Sequence, residues 1–141
     1  LIESVSKGGN LLLNVGPTAR GLFDERANKA LLSMGEWMKW NNRSVYGCTQ
    51  APDEFKAPAN TLLTYNPQTN RLYIHLLDYP LQNLTLPGYA GKIKYAQFLH
   101  DASEIKISER HREGENDTDV NLSLPVLKPN IEIPVIELIL K

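Results

Sequence analysis

The chain has 141 residues, room for one ordinary domain and a modest core. Fifteen Lys and Arg against sixteen Asp and Glu leave a net charge of −1, which gives no electrostatic basis for binding nucleic acid or an anionic membrane. No apolar run nears the ~20 residues of a membrane span, and a single cysteine, Cys48, excludes an internal disulfide framework.

Leu1, Ile2 and Val5 have a short helical spacing, and Gly8-Gly9 stop the helix that this spacing predicts. A strand is expected over residues 10–15, where Leu11, Leu12, Leu13 and Val15 form a near-continuous apolar run. Such a run suits a strand covered on both faces, as in a parallel sheet or barrel. Gly16-Pro17 end it, because proline has no backbone donor. After a polar loop, Asp24 and Glu25 suit the start of a second helix. Its apolar stripe is Ala27, Ala30, Leu31, Met34 and Met38, widened by Leu32 and Trp37, and it should stop near Asn41-Asn42.

Pro52 and Pro58 then break regular structure and helical periodicity disappears, so a domain boundary is expected near Gly47, dividing the chain into residues 1–47 and 48–141. From Asn60 onward short alternating runs are punctuated by turn residues, the pattern of an antiparallel sandwich or barrel. Strands are expected over 61–65 and 71–77, forming a hairpin in which Leu72, Ile74 and Leu76 share a face. Others are expected over 84–86 and 92–100, around Ile105 and Ile107, and around Val120, Leu122 and Leu124. In the fourth strand Ile93, Tyr95 and Leu99 should share one face and Ala96 and Phe98 the other. The last, over 131–140, contains Pro134, which implies an edge position or a bulge. The charged run 109–119 reads as a solvated hairpin loop, without the spacing of a calcium-binding loop.

Chemistry-bearing residues are sparse. His75, His100 and His111 show no metal-ligand spacing, so no metal and no cofactor is expected. Cys48 has no basic neighbour to activate it. Among the aromatic residues Tyr79 and Tyr89, beside Pro80 and Gly88, are the pair expected nearest solvent, with turn packing favoured over ligand binding. Four Asn-x-Ser/Thr triplets, at Asn42, Asn83, Asn116 and Asn121, matter only in a eukaryotic secretory context.

The run from Ser6 to Pro17, Gly21, Gly35-Glu36-Trp37 and the closing Tyr46-Gly47 together resemble the end of the catalytic domain of the glycoside hydrolase family 29 α-L-fucosidases. The resemblance covers about the first third of the chain, and the remainder is similar to the β-rich C-terminal domain of such enzymes through weaker motifs. It implies a mainly β fold: a C-terminal antiparallel β-sandwich preceded by a helix-strand-helix remnant of a (β/α)8 barrel. It also implies a retaining parent enzyme, secreted, periplasmic or lysosomal, that removes terminal α-L-fucose from glycans with an Asp nucleophile. The two carboxyl groups such chemistry needs, roughly 5–5.5 Å apart, would lie on barrel strands upstream of Leu1. No catalytic residue is therefore assigned here. Barrel enzymes build their sites at the ends of strands, so Asn14, Gly16 and Thr18 are candidates for the substrate rim, against the simpler expectation that they only shape a turn. The fucosylated glycan would bind through the missing barrel. A free-standing carbohydrate-binding or structural sandwich is the alternative. Without barrel partners, the run 11–15 and the helix stripe are expected to be disordered or to drive self-association.

Overall fold

The computed structural model describes residues 1–110 and 119–141; the run 111–118, with His111, Asn116 and most of the charged loop, lies outside the described residues. Helix α1 spans Ile2–Ser6 and ends where Gly8 takes a φ of 71°, a left-handed turn that glycine adopts without steric cost. Helix α2 spans Glu25–Asn41 and continues into a 3₁₀ turn, Asn42–Ser44. Asp24 caps α2, its Oδ1 accepting a 2.7 Å hydrogen bond from the amide of Ala27; this satisfies one of the free donors every helix start leaves.

Seven strands follow among the described residues: β1 Thr61–Asn66, β2 Arg71–Leu76, β3 Asn83–Leu86, β4 Ile93–Phe98, β5 Lys106–Arg110, β6 Asp119–Ser123 and β7 Val135–Leu140. They make two antiparallel sheets, a four-stranded one in the order β1-β2-β7-β4 and a three-stranded one in the order β3-β6-β5. The β1–β2 hairpin closes because Asn66 Oδ1 accepts from the amides of Gln68 and Thr69 and Asn70 tolerates a φ of 52°. Alternation decides the core. Leu72, Ile74, Leu76, Ile136 and Leu138 point from the large sheet toward Leu84, Leu86, Val120 and Leu122 of the small one, and all are buried.

The large sheet is covered on its second face as well. There Tyr73, Leu99 and Val135 pack with Trp37 and Cys48, which belong to the end of α2 and the segment after it. Burial on both faces explains why β2 and β7 are almost wholly buried.

Four expectations are corrected. Residues 10–15 form no strand: the segment pairs with neither sheet, and without a partner Leu11, Leu12 and Leu13 are all exposed. Ile93 joins Ala96 and Phe98 in the core instead of opposing them, because the β4–β7 register shifts between Ile93 and Tyr95 and such a bulge reverses the alternation. The last strand is not at an edge: β7 starts after Pro134 and lies between β2 and β4, while the Pro134 carbonyl accepts from the amide of Leu76. Tyr89 is not near solvent. It is fully buried edge-on against Phe55, with ring centres 5.1 Å apart, and donates its hydroxyl to the carbonyl of Lys56.

Candidate functional site

Asn14, Gly16 and Thr18 lie in the extended arm between α1 and α2, and all are exposed. Thr18 builds a turn: its amide donates to the carbonyl of Leu22, its carbonyl accepts from Gly21, and its Oγ1 accepts from the Leu22 amide at 3.3 Å. The structure places all three on one arm.

The polar chemistry that sequence reasoning missed is on the outer face of the large sheet. Thr64, Tyr73, Glu137 and Gln97 are register partners across β1, β2, β7 and β4, one row of side chains on one face. Glu137 is fully buried at its centre. Its Oε1 accepts from Arg71 at 2.8 Å and from the Tyr73 hydroxyl at 3.4 Å, and its Oε2 accepts from the Gln97 amide at 2.5 Å. Arg43 of the 3₁₀ turn stands 3.6 Å from the same Oε2, so the charge ties the end of α2 to the sheet. A carboxylate with both oxygens engaged has no lone pair directed at a substrate; Glu137 holds structure. The signal for it was a lone acid inside the apolar run of β7.

His75, in the next row, is also buried. The Thr64 hydroxyl donates to the carbonyl of Ser44 at 2.6 Å, so it accepts from His75 Nε2 at 2.9 Å. That fixes the proton on Nε2 and leaves Nδ1 without a partner. Burial holds the imidazole neutral, its pKa pushed down to about 3. Burial likewise raises the Cys48 thiol to about 11, and its Sγ contacts the carbonyl of Arg43, which makes it a poor nucleophile.

A third arrangement is an open groove of about 600 Å³ between α2 and two sandwich loops. Ser33, Glu36, Trp37 and Trp40 supply one wall; His100, Asp101, Asn130 and Glu132 supply the others. His100 lies in the turn after β4, not in the strand expected for it. Trp37 donates its indole N–H to the carbonyl of Ile133, and Trp40 donates to Glu36 Oε1, both at 3.1 Å. Burial would raise the Asp101 carboxyl, but the amide and hydroxyl of Ser103 together hold it below its ordinary value.

With this geometry in place, the comparisons with known proteins decide the family. The α-L-fucosidase family model matches residues 1–43, the arm and α2. The α-L-fucosidase isoenzyme 1 of Paenibacillus thiaminolyticus superposes with a TM-score of 0.85 at 33% identity, over 99% of this chain and 32% of that one. The chain belongs to the family 29 α-L-fucosidases. The α-L-fucosidase of Vibrio sp. strain EJY3 gives a TM-score of 0.86 at 25% identity, covering 99% of this chain and 24% of its own. In sequence, the mouse tissue α-L-fucosidase is 30% identical over 96% of this chain and 29% of its own length. The chain thus spans about a quarter to a third of the length of these three fucosidases. It is mainly β, a two-sheet sandwich preceded by helices, as the family resemblance implied.

Proposed function

We propose that this chain serves an α-L-fucosidase that hydrolyses terminal α-L-fucose from glycans with retention, and that it supplies the end of the barrel and the bracing sandwich. Residues 1–47 form the terminal elements of the barrel and residues 48–141 the sandwich. Asn14, Gly16 and Thr18 sit at the rim of a pocket whose other walls, and whose catalytic carboxyl groups, come from the barrel that takes the fucosylated glycan. The observation that carries the reading is the whole-length likeness to the Paenibacillus enzyme, which takes in the N-terminal third as well as the sandwich.

The open surface fits this role. Along α2 the side chains of Leu32 and Met34 are exposed, as are Leu11 to Leu13 in the arm. Open apolar groups of this kind mark a contact surface, and a barrel would cover them. The test is a chimera in which this chain replaces the corresponding part of the Paenibacillus enzyme. It is expected to release the aryl group from an aryl α-L-fucoside, while the chain alone releases none. Turnover by the chain alone, or a folded chimera without turnover, overturns the reading.

A further inference from the structure

We infer that the groove between α2 and the sandwich loops is a saccharide-binding cleft. It is built from three elements that sequence keeps far apart: one face of α2, the turn after β4, and the loop before β7. On α2 the lining residues Ser33, Glu36, Trp37 and Trp40 recur at helical spacing. At 3.6 residues per turn they lie roughly a third of a turn from the stripe of Ala27, Ala30, Leu31, Met34 and Met38.

The lining has the chemistry of a sugar site. Both indole N–H groups are already bound, to Ile133 and Glu36, so the rings are held in place and offer faces rather than donors. Trp40 is half exposed; Lys39 Nζ stands over its ring, 5.4 Å from the centre, and the open remainder is a flat apolar surface on which the C–H face of a pyranose can stack. Around it stand Asp101, Asn130 and Glu132, acceptors and an amide that match sugar hydroxyls. The three carboxyl groups, Glu36, Asp101 and Glu132, stand beside Lys39, His100 and Lys128 at 3.9, 3.5 and 4.0 Å, so the groove carries no excess of positive charge to draw phosphate or nucleic acid. The loop is held against the indole at a cost: Ile133, a β-branched residue, takes a φ of 43°, and its carbonyl is the one that Trp37 grips.

The choice of a glycan as occupant rests on the fucosidase reading; the geometry of the groove does not. The chain has only two tryptophans and both line the groove, so its indole N–H signals in a nitrogen–proton spectrum report on this site alone. Titration of the full chain with lactose and with a fucosylated lactose is expected to shift the Trp40 signal saturably in the millimolar range. Trp40→Ala, at a half-exposed position, and Asn130→Ala should each weaken binding about tenfold or more, read by calorimetry. Neither sugar shifting either signal overturns the proposal, as does binding that both variants leave intact. A response to tetramethylammonium alone would assign the groove to an organic cation instead, and shifts on simple dilution would assign it to a second copy of the chain. Each of these outcomes overturns the saccharide reading without touching the fucosidase reading, which turnover by the chimera tests.

Discussion

Leu122 and Leu12 are both leucines in apolar stretches, yet Leu122 is fully buried and Leu12 is 93% exposed. Leu122 belongs to an alternating strand of the sandwich, which needs one covering layer, and the facing sheet provides it. Leu12 belongs to a continuous apolar run, which needs cover on both faces and hydrogen-bond partners on both edges. The sandwich closes its own account of backbone and apolar groups, and the arm leaves its own open. The contact between them is local: the end of α2 and the 3₁₀ turn meet the sheet at Trp37, Arg43 and Ser44, while α1 packs against β1.

The sharpest way to break that comparison is to cut the joint. Glu137→Ala leaves Arg71, the buried Tyr73 and the half-buried Gln97 without their shared acceptor. Leaving buried hydrogen-bonding groups unpaired costs about 1–3 kcal/mol each, and this loss is expected in urea unfolding followed by far-ultraviolet circular dichroism. A loss below about 1 kcal/mol would show that Glu137 is dispensable and that apolar packing alone joins the parts.

Acid should act next, through His75. Its folded pKa, about 3, lies below the ordinary value of 6.5. Below about pH 6.5 the unfolded chain takes up a proton that the folded chain refuses, so stability falls as pH falls through this window. Between about pH 7 and pH 5 the loss from this one group is roughly 2 kcal/mol. Urea midpoints at the two pH values measure it, and His75→Gln is expected to flatten the dependence. An unchanged slope in that variant would place the acid sensitivity elsewhere.

The sandwich was legible in the sequence for the same reason that it is stable: alternation, turn residues and strand length agree over β1, β2, β3 and β6. What remained hidden depended on partners remote in the chain. The bulge after Ile93 is set by pairing with β7, and no local feature of residues 92–100 announces it. The central place of β7 follows from the order of the large sheet, which Pro134 does not reveal. Glu137 could be seen as a lone acid in an apolar strand, but Arg71 and Arg43 as its partners could not. The groove needed three elements to meet, and Glu36, Trp37 and His100 of its lining drew notice only for other reasons. The arm is the reverse case: its run 11–15 carries a strong strand signal and no partner is present to realise it.

That case yields a milder prediction. The exposed Leu32 and Met34 of α2 and the leucines of the arm are expected to bring two copies of the isolated chain together. Sedimentation should then show mass rising with concentration, and Leu32→Lys, at a residue 74% exposed, should weaken the association by about tenfold. A mass independent of concentration would show that the open face does not self-associate.

The smallest effect separates the two regions most cleanly. Leu12→Asp removes no buried contact in this chain, since Leu12 is 93% exposed. Its unfolding free energy should stay within about 0.5 kcal/mol of the parent, as surface substitutions do. In the chimera the same change would put a carboxylate into a strand covered on both faces, and burial of an unpaired charge is costly. A silent change in the chain that abolishes folding or turnover in the chimera is the pattern of a stave awaiting its barrel. Equal indifference in both proteins would mean that residues 11–15 stay in solvent even beside a barrel, and the arm would then be a linker.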